Sequence, residues 1–246
     1  MEIFKKVSLL SLLLFLCLLP WSFSFANIFL YIFFAGVVFD KKLYNKFSWK
    51  NIEGCEKWVI ITSGSYYLWC LISILWTDNI NRGFQLFGRY IPIILFPVFL
   101  NLAKVNGIIK NLKLLIGAFA LGVIISSFMC IYLSYQDCWC ETDNGLVFNS
   151  NLDFRDISFI DSVLWGFNHF SYVHLAHFIH PSYYSLYFLF IIFAISESLM
   201  NDMFFRRKLI VIIILLYLSL FVFFLQSRGS LLAFIVTIFC LYYIVC

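Results

Sequence analysis

Apolar residues fill most of this chain in long runs, which short polar connections separate. A transmembrane helix needs about 20 apolar residues to cross about 30 Å of hydrocarbon. The pattern predicts an all-α fold, that of a polytopic integral membrane protein with about eight transmembrane helices in a single membrane domain over residues 1–246. The predicted spans are residues 7–19, 25–39, 58–76, 84–100, 114–135, 183–200, 209–225 and 231–246.

The first apolar run, Val7 to Phe39, is too long for one straight span. The segment "PWSFS", Pro20 to Ser24, interrupts it and predicts two closely connected helices. A signal peptide is the alternative, because Lys5 and Lys6 precede the apolar core and small residues follow it. Since every later segment is apolar as well, the pattern favours a retained span.

Composition agrees with a membrane protein. Hydrophobic residues make up 63% of the 246 residues and charged residues only 12%, whereas a soluble domain is about a quarter charged. The net charge is +4, and the lysines cluster in short connections between apolar runs. Such a distribution indicates how the helices are oriented, and it does not indicate nucleic-acid binding.

Positive charge is concentrated in three connections, residues 40–57, 101–113 and 201–208. Under the positive-inside rule these connections share the cytoplasmic side, which makes both chain termini cytoplasmic. The long insertion at about residues 136–180 then faces the other, periplasmic side. Its charges agree with this orientation, because they are mostly carboxylates.

The segment "FFLQSRGSLLAF", residues 223–234, contains a short polar break in an apolar region. In this topology Arg228 lies at the outer membrane boundary, where the positive-inside rule does not explain it. Arginines near the membrane interior usually face a cavity or an anion, and the fixed fork of guanidinium donors matches phosphate oxygens. Ser227 and Ser230 add hydroxyl donors, and Gly229 permits close approach of a ligand. A snorkelling arginine at a helical hairpin is the alternative.

Two further arginines are predicted in the outer half of the membrane. Arg82 begins one span, and simple snorkelling is the alternative explanation for it. Arg89 in "FGRYIPIILFP" lies about two helical turns deeper, so a polar cavity or a lipid phosphate is favoured over a structural ion pair.

The segment "HLAHFIHPSYYSLYF" carries His174, His177 and His180 at spacings that place them on one side of a helix. Three histidines can bind a metal, but no carboxylate or cysteine completes the set at a helical offset. The pattern therefore favours the polar face of an interfacial helix, with no metal site. Tyr183 and Tyr184 then form an aromatic entrance to the next span at headgroup level.

Most of the eight cysteines lie in apolar runs, where cysteine acts as a small hydrophobic residue. Cys138 and Cys140 in "DCWCET" are placed in the periplasmic insertion, where an oxidising compartment permits disulfides. A bridge across a single residue is strained, so the sequence leaves open whether the two thiols are bridged or free.

The segments "HPSYYSLYF" and "LQSRGSLLAF" resemble the O-antigen ligase and O-antigen polymerase superfamily of bacterial envelope glycosyltransferases. Members carry an HPSY-like entrance to a span ahead of an SRG break, and "GRYIPIILFP" is also similar to the corresponding segment of these proteins. The resemblance covers most of the chain, and Arg228 with its flanking serine and glycine is its most specific part.

The resemblance implies an enzyme that moves a glycan from a polyprenyl diphosphate carrier to an acceptor, either lipid A core or a growing glycan. Its place would be the periplasmic face of the bacterial cytoplasmic (inner) membrane, among membrane lipids, and it would need no metal, nucleotide or other cofactor. By position, Arg228 with Ser227 and Gly229 would hold the diphosphate, and Arg82 or Arg89 would be a second contact. The resemblance assigns no catalytic residue here.

Members of the family usually continue past the SRG span to a second large periplasmic loop, which supplies a histidine thought to act on the acceptor. This sequence stops at Cys246 inside an apolar run, so we expect it to be the N-terminal portion of such an enzyme. A lipid-linked polysaccharide flippase or other transporter is the alternative, although transporters often show internal repeats and this sequence shows none. An inactive membrane fragment is a further alternative.

Overall fold

The computed structural model is mostly helical and describes most of the chain. It describes residues 2–39, 52, 54–77, 79–105, 107–109, 112–142, 145–152, 157–200, 205–227, 229 and 231–236. The helices are α1 (Glu2–Leu18), α2 (Phe23–Val38), α3 (Gly54–Ser73), α4 (Ile80–Val105), α5 (Leu112–Asp137), α6 (Phe159–Leu164), α7 (Tyr172–Leu175), α8 (Pro181–Met200) and α9 (Phe205–Phe224). A 3-10 turn (Ile74–Trp76) continues α3, and residues 231–236 are also helical.

The long helices coincide with the predicted apolar spans. Among the described residues, two helices are long and apolar enough to cross a membrane, Gly54–Trp76 and Leu112–Asp137. Four shorter apolar helices accompany them: Phe23–Phe39, Tyr90–Val105, Pro181–Ser196 and Lys208–Phe224. The helical prediction is confirmed, whereas the number of spans stays a prediction.

The predicted break in the first apolar run is confirmed. Helix α1 ends at Leu18, a turn follows, and α2 begins at Phe23. The turn is closed by the backbone amides of Trp21 and Ser22, which donate to the Leu18 carbonyl at 2.9 and 3.1 Å. Pro20 lies inside this turn, where the missing N–H of proline costs no helical hydrogen bond.

The chain forms two compact units, one of residues Met1–Leu12 and Ile28–Leu112, the other of Leu13–Asn27 and Lys113–Cys246. In the first unit aromatic rings join the helices. Tyr67 of α3 stacks on Phe87 of α4 with ring centroids 4.4 Å apart. Phe34 of α2 packs against Phe99 of α4 with ring centroids 4.6 Å apart. Offset and tilted ring contacts of this kind add stability beyond the burial of apolar area.

The second unit is organised around α5, which buries a row of small side chains at four-residue intervals. The row consists of Gly122, Ser126, Cys130 and Ser134, all on one face of the helix. Small residues let helix backbones approach closely where apolar solvent gives no hydrophobic drive for association. At Gly122 the approach is so close that an added Cβ would overlap the Cys17 carbonyl of α1.

Helices α8 and α9 pack against each other and against α5 in this unit. Phe188 of α8 and Phe221 of α9 are stacked in parallel, with centroids 4.7 Å apart. Tyr217 of α9 shares a hydrogen bond of 2.7 Å with Ser127 of α5. The core is therefore aromatic between α8 and α9 and small and polar along α5.

The insertion between α5 and α8 is ordered in its described parts. Strands β1 (Trp139–Thr142) and β2 (Gly145–Phe148) form an antiparallel hairpin directly after α5. Helix α6 is capped by Ser158, whose hydroxyl accepts from the Asp161 amide at 3.1 Å. The buried Asn168 side chain donates to Ser162 at 2.8 Å. The expectation of an all-α chain thus holds for the membrane-like segments, and the insertion adds a small β-hairpin.

The close approach at Gly122 predicts a stability difference between two glycines of the same helix. Gly122→Ala places a methyl group against backbone atoms of Cys17, and overpacking of this kind costs about 1–3 kcal/mol. Gly117→Ala is the matched control, because among the described residues no atom outside the local helix backbone lies within 4 Å of an added Cβ there. We expect Gly122→Ala to lower the thermal unfolding midpoint in detergent micelles and Gly117→Ala to leave it unlowered. Equal midpoints would contradict the packing of α1 on α5.

Candidate functional site

The two segments that carry the family resemblance meet in the structure. Ser182 lies in the first turn of α8, and Ser227 follows the end of α9. The Ser227 hydroxyl donates to the Ser182 hydroxyl at 3.5 Å. The residues are 45 positions apart in sequence, so this contact depends on the antiparallel pairing of the two helices.

Gln226, next to Ser227, adopts an unusual backbone conformation. Its φ angle is +47°, in the left-handed region that glycine and asparagine favour at helix ends. Its side-chain amide donates a hydrogen bond to the Val163 carbonyl of α6. The insertion is thereby attached to the polar break, and the attachment helps to hold a strained residue in place.

Of the predicted diphosphate-binding residues, only part of the "QSRGS" segment is described. Ser227 is buried. Gly229 is helical and exposed, and among the described residues outside its own helical turn no atom lies within 4 Å of an added Cβ. The described part of the chain therefore leaves the space next to Gly229 open, as close approach by a ligand requires. Arg228 and Ser230 lie outside the described residues.

The other two predicted arginines belong to the first unit, on α4. Arg82 is exposed in the first turn of the helix. Its backbone amide donates to the side-chain oxygen of Asn79 at 3.0 Å, the hydrogen bond of a helix N-cap. Arg89 lies in the middle of α4, and its side chain is outside the described residues. Their predicted contact with a diphosphate stays a prediction.

An apolar pocket of about 310 Å³ lies next to the polar break in the second unit. Helices α5 and α9 and the insertion form its wall. Phe224 is the last residue of α9, so the pocket reaches to within two residues of Gln226. The lining residues are Ile131, Phe159, Phe170, Leu175, Phe221 and Phe224. All six side chains are apolar, so the described lining suits a hydrocarbon group and contains no charged side chain.

The two tyrosines of "HPSYYSLYF" have different environments. Tyr183 is 58% exposed, as the predicted aromatic entrance requires, whereas Tyr184 is fully buried. The Tyr184 hydroxyl donates to Ser126 of α5 at 2.6 Å and accepts a weak hydrogen bond from the Cys130 thiol at 3.8 Å. The sequence predicts both tyrosines at the headgroups. The burial of Tyr184 could not be predicted, because nothing in the sequence indicates which of two adjacent residues in one helical turn faces α5.

The prediction of an interfacial helix carrying three histidines is wrong. Helix α7 covers only Tyr172–Leu175, so His177 and His180 lie in the irregular segment that follows. Tyr172, the first residue of α7, has a φ of +49°, and the next helix begins at Pro181. Proline disfavours helical backbone in the residue before it, and here that residue is His180.

His177 instead forms a polar contact with the end of α5. Its Nε2 atom lies 3.1 Å from the Ser134 hydroxyl and 3.7 Å from Asp137 Oδ2. The Ser134 hydroxyl donates to the His174 carbonyl at 3.2 Å, so its oxygen accepts from Nε2–H. Burial lowers the pKa of His177, and the Asp137 carboxylate opposes this shift in part. The neutral ring therefore carries its free lone pair on Nδ1.

The two insertion cysteines are both free thiols. Cys138 is buried and donates to the Ser134 carbonyl at 3.1 Å. Burial, with smaller contributions from Asp137 and Cys140, raises the pKa of Cys138 to about 11. Its thiol therefore stays protonated and unreactive at neutral pH. Within the described part of the chain no group of three His, Cys, Asp or Glu side chains is arranged to hold a metal ion.

Comparison with the models of known protein families, with curated proteins and with solved structures finds no match for this chain. The resemblance to the O-antigen ligase and polymerase superfamily therefore rests on the quoted segments alone. Their contact through Ser182 and Ser227 is a property of the fold that neither segment contains by itself.

The hydrogen bonds of Tyr184 predict a stability loss that its neighbour does not share. Tyr184→Phe leaves the buried Ser126 hydroxyl without its donor, and such interhelical bonds contribute about 0.6–2 kcal/mol between transmembrane helices. Tyr183→Phe is the control, because the Tyr183 side chain is exposed. We expect Tyr184→Phe alone to lower the thermal midpoint in micelles. A similar loss in both variants would show that the buried contact is not the cause.

The lowered pKa of His177 predicts that acid weakens the second unit. The unfolded chain, with the ordinary imidazole pKa of 6.5, takes up a proton before the folded chain does. Stability should therefore be fully present above this value and fall as the pH drops through it towards the lowered folded pKa. Unfolding midpoints measured between pH 7.5 and pH 5.5 test this. His177→Gln should flatten the decline of stability with falling pH. His180→Gln is the control, because it removes an imidazole outside this contact and should leave the decline unchanged. An unchanged decline in His177→Gln would refute the role of His177 in the acid sensitivity.

Proposed function

We propose that this chain is a membrane-embedded glycosyltransferase of the O-antigen ligase or polymerase type, or a portion of one. It would move a glycan from a polyprenyl diphosphate to lipid A core or a growing glycan at the periplasmic face of a bacterial inner membrane. The observation that carries the proposal is the contact between Ser182 and Ser227, which joins the two family-like segments at one end of the α8–α9 pair.

Membrane embedding is supported by the surfaces of the long helices. Helix α3 has no buried residue along Gly54–Ser73, and its exposed side chains include Trp58, Leu68 and Trp69. Large apolar side chains exposed over a whole helix are stable in lipid and not in water. The asymmetric distribution of lysine and arginine between the connections supports the predicted orientation, with both termini cytoplasmic.

The polar break has the features that recognition of a lipid diphosphate requires. Arg228 follows Ser227 in the chain, and a guanidinium can donate two parallel hydrogen bonds to phosphate oxygens. The described residues leave room beside Gly229 for an anion close to the backbone. The strained Gln226 is held by Val163, and strained residues cluster at ligand-binding sites.

The apolar pocket supplies a place for the hydrocarbon part of the same ligand. Phe221 and Phe224 line it from α9, immediately before the polar break. A polyprenyl diphosphate has an apolar chain joined to a doubly charged head, so it needs an apolar wall next to an arginine. The second unit offers this order of residues along the end of α9.

In the proposed reaction the acceptor hydroxyl attacks the anomeric carbon of the glycan. The bond from that carbon to the diphosphate oxygen breaks, and the diphosphate leaves with its charge stabilised by Arg228. The acceptor proton passes to a base, to which the described residues and the resemblance assign no side chain. Arg82 and Arg89 stay candidates for a second contact with the diphosphate.

Substitution of Arg228 tests the proposal. In nanodiscs, the chain should bind polyprenyl diphosphate more tightly than polyprenyl monophosphate, and Arg228→Ala should abolish the difference. A hydrogen bond to a charged group contributes about 1.5–3 kcal/mol, so the expected loss is roughly 10- to 100-fold in Kd. Arg228→Lys keeps the charge but not the paired donors, so we expect an intermediate affinity.

Arg206→Ala is the matched control, because it removes a guanidinium from the other end of α9 and leaves Arg228, Ser227 and Ser230 in place. A second readout is glycan transfer, scored as a lipopolysaccharide ladder in cells that lack their own ligase. Equal binding of the two lipids by the unsubstituted chain, or diphosphate binding that survives Arg228→Ala, would refute the proposed site.

A further inference from the structure

The insertion between α5 and α8, whose charges are mostly carboxylates, carries a large amount of exposed apolar surface. Trp139 is 44% exposed and Trp165 is 74% exposed. Other large apolar side chains of the insertion are exposed too: Leu146, Val147, Phe148, Phe159, Ile160, Leu164 and Val173. A loop surrounded by water rarely exposes so many large apolar residues together.

The hairpin part of this surface continues the outward-facing side of α5. Phe128, Tyr132 and Tyr135 are exposed along one side of α5, at spacings of four and three residues. The Tyr135 ring packs against Trp139 and Phe148, with ring centroids 6.2 and 5.9 Å apart. The exposed aromatic surface therefore runs without interruption from the helix onto the hairpin.

Helix α6 presents a second such surface. Ser162 and Val163 face inward and are buried, whereas Phe159, Leu164 and Trp165 are exposed. The Val163 carbonyl accepts from the side chain of Gln226 at the end of α9. Both apolar parts of the insertion are thus tied to the outer ends of predicted spans, the hairpin to α5 and α6 to α9.

We infer that the insertion is an interfacial element, whose hairpin and α6 lie in the headgroup region of the bilayer that holds the chain. The inference rests on the membrane embedding in the proposed function. The ends of the spans set the depth of both parts, and tryptophan and tyrosine are the residues that favour this depth, because their rings combine an apolar body with a polar group. The fold of the insertion therefore keeps the polar break at the level of lipid headgroups.

The charges of the insertion indicate which lipid surface it fits. Its described acidic side chains include Glu141 and Asp161, both exposed, and these would be repelled by an anionic bilayer. Zwitterionic phosphatidylcholine is therefore the appropriate lipid for a test. Lipid contact of α3 is tested in the same sample, because Trp69 lies exposed within that helix.

The test is ¹⁹F NMR of the full chain, labelled with 5-fluorotryptophan, in phosphatidylcholine nanodiscs. The chain has seven tryptophans, and the signals of Trp69, Trp139 and Trp165 are assigned from the one that each Trp→Phe variant lacks. Broadening is then compared between phosphatidylcholine carrying a nitroxide at carbon 5 and a soluble gadolinium chelate. We expect the lipid nitroxide to broaden Trp139 and Trp165 at least twofold more than the chelate does.

Trp69 separates failure of the inference from failure of the proposed function. If the lipid nitroxide broadens Trp69 while only the chelate reaches Trp139 and Trp165, the insertion lies in water and the inference is wrong, although the chain is embedded. If neither probe reaches these two residues, another protein surface covers them, which also overturns the inference. If only the chelate reaches all three, the chain is not embedded and the proposed function fails as well.

Discussion

The second unit depends on one constraint, the row of small side chains that α5 buries at every fourth position. Gly122 packs against the backbone of α1. Ser126 and Cys130 form hydrogen bonds with the Tyr184 hydroxyl of α8. Ser134 forms a hydrogen bond with His177. Each contact needs a short distance that a larger side chain would prevent. In an apolar solvent, close packing and interhelical hydrogen bonds take over the part that the hydrophobic effect has in water. The position of α8, and with it that of Ser182, follows from this row.

The polar break after α9 shows how such packing prepares a site. Helix α8 is placed by Tyr184, and α9 is placed against it by the stacked rings of Phe188 and Phe221. The two helices run antiparallel, so the start of one and the end of the other lie together and Ser182 meets Ser227. The left-handed Gln226 between them costs free energy, which the surrounding contacts of α6 and α9 offset.

The two units differ in the side-chain contacts that stabilise each of them internally. Aromatic pairs between α2, α3 and α4 dominate the first, and Lys104 and Glu56 form an ion pair there with an N–O distance of 2.6 Å. Small polar side chains and buried hydroxyl groups dominate the second. The second unit also contains the insertion, whose turns are closed by Asn168 and Ser158. Hydrogen-bonding side chains therefore connect both the helices of the second unit and the turns of its insertion.

Apolar run lengths and the proline in "PWSFS" placed the long helices by themselves, to within about five residues at each end, because a helix in lipid satisfies its own backbone hydrogen bonds and needs no distant partner. They also singled out the "HPSYY" and "QSRGS" segments. Only the tertiary structure decided that these segments touch, that Tyr184 is buried while Tyr183 is exposed, and that the three histidines do not share a helix. A hydropathy pattern is nearly the same on every side of such helices, so it carries no signal of which side meets a neighbour. The side of each helix that meets a neighbour is decided by the fit between side chains of different helices, and this fit exists only once the helices are packed.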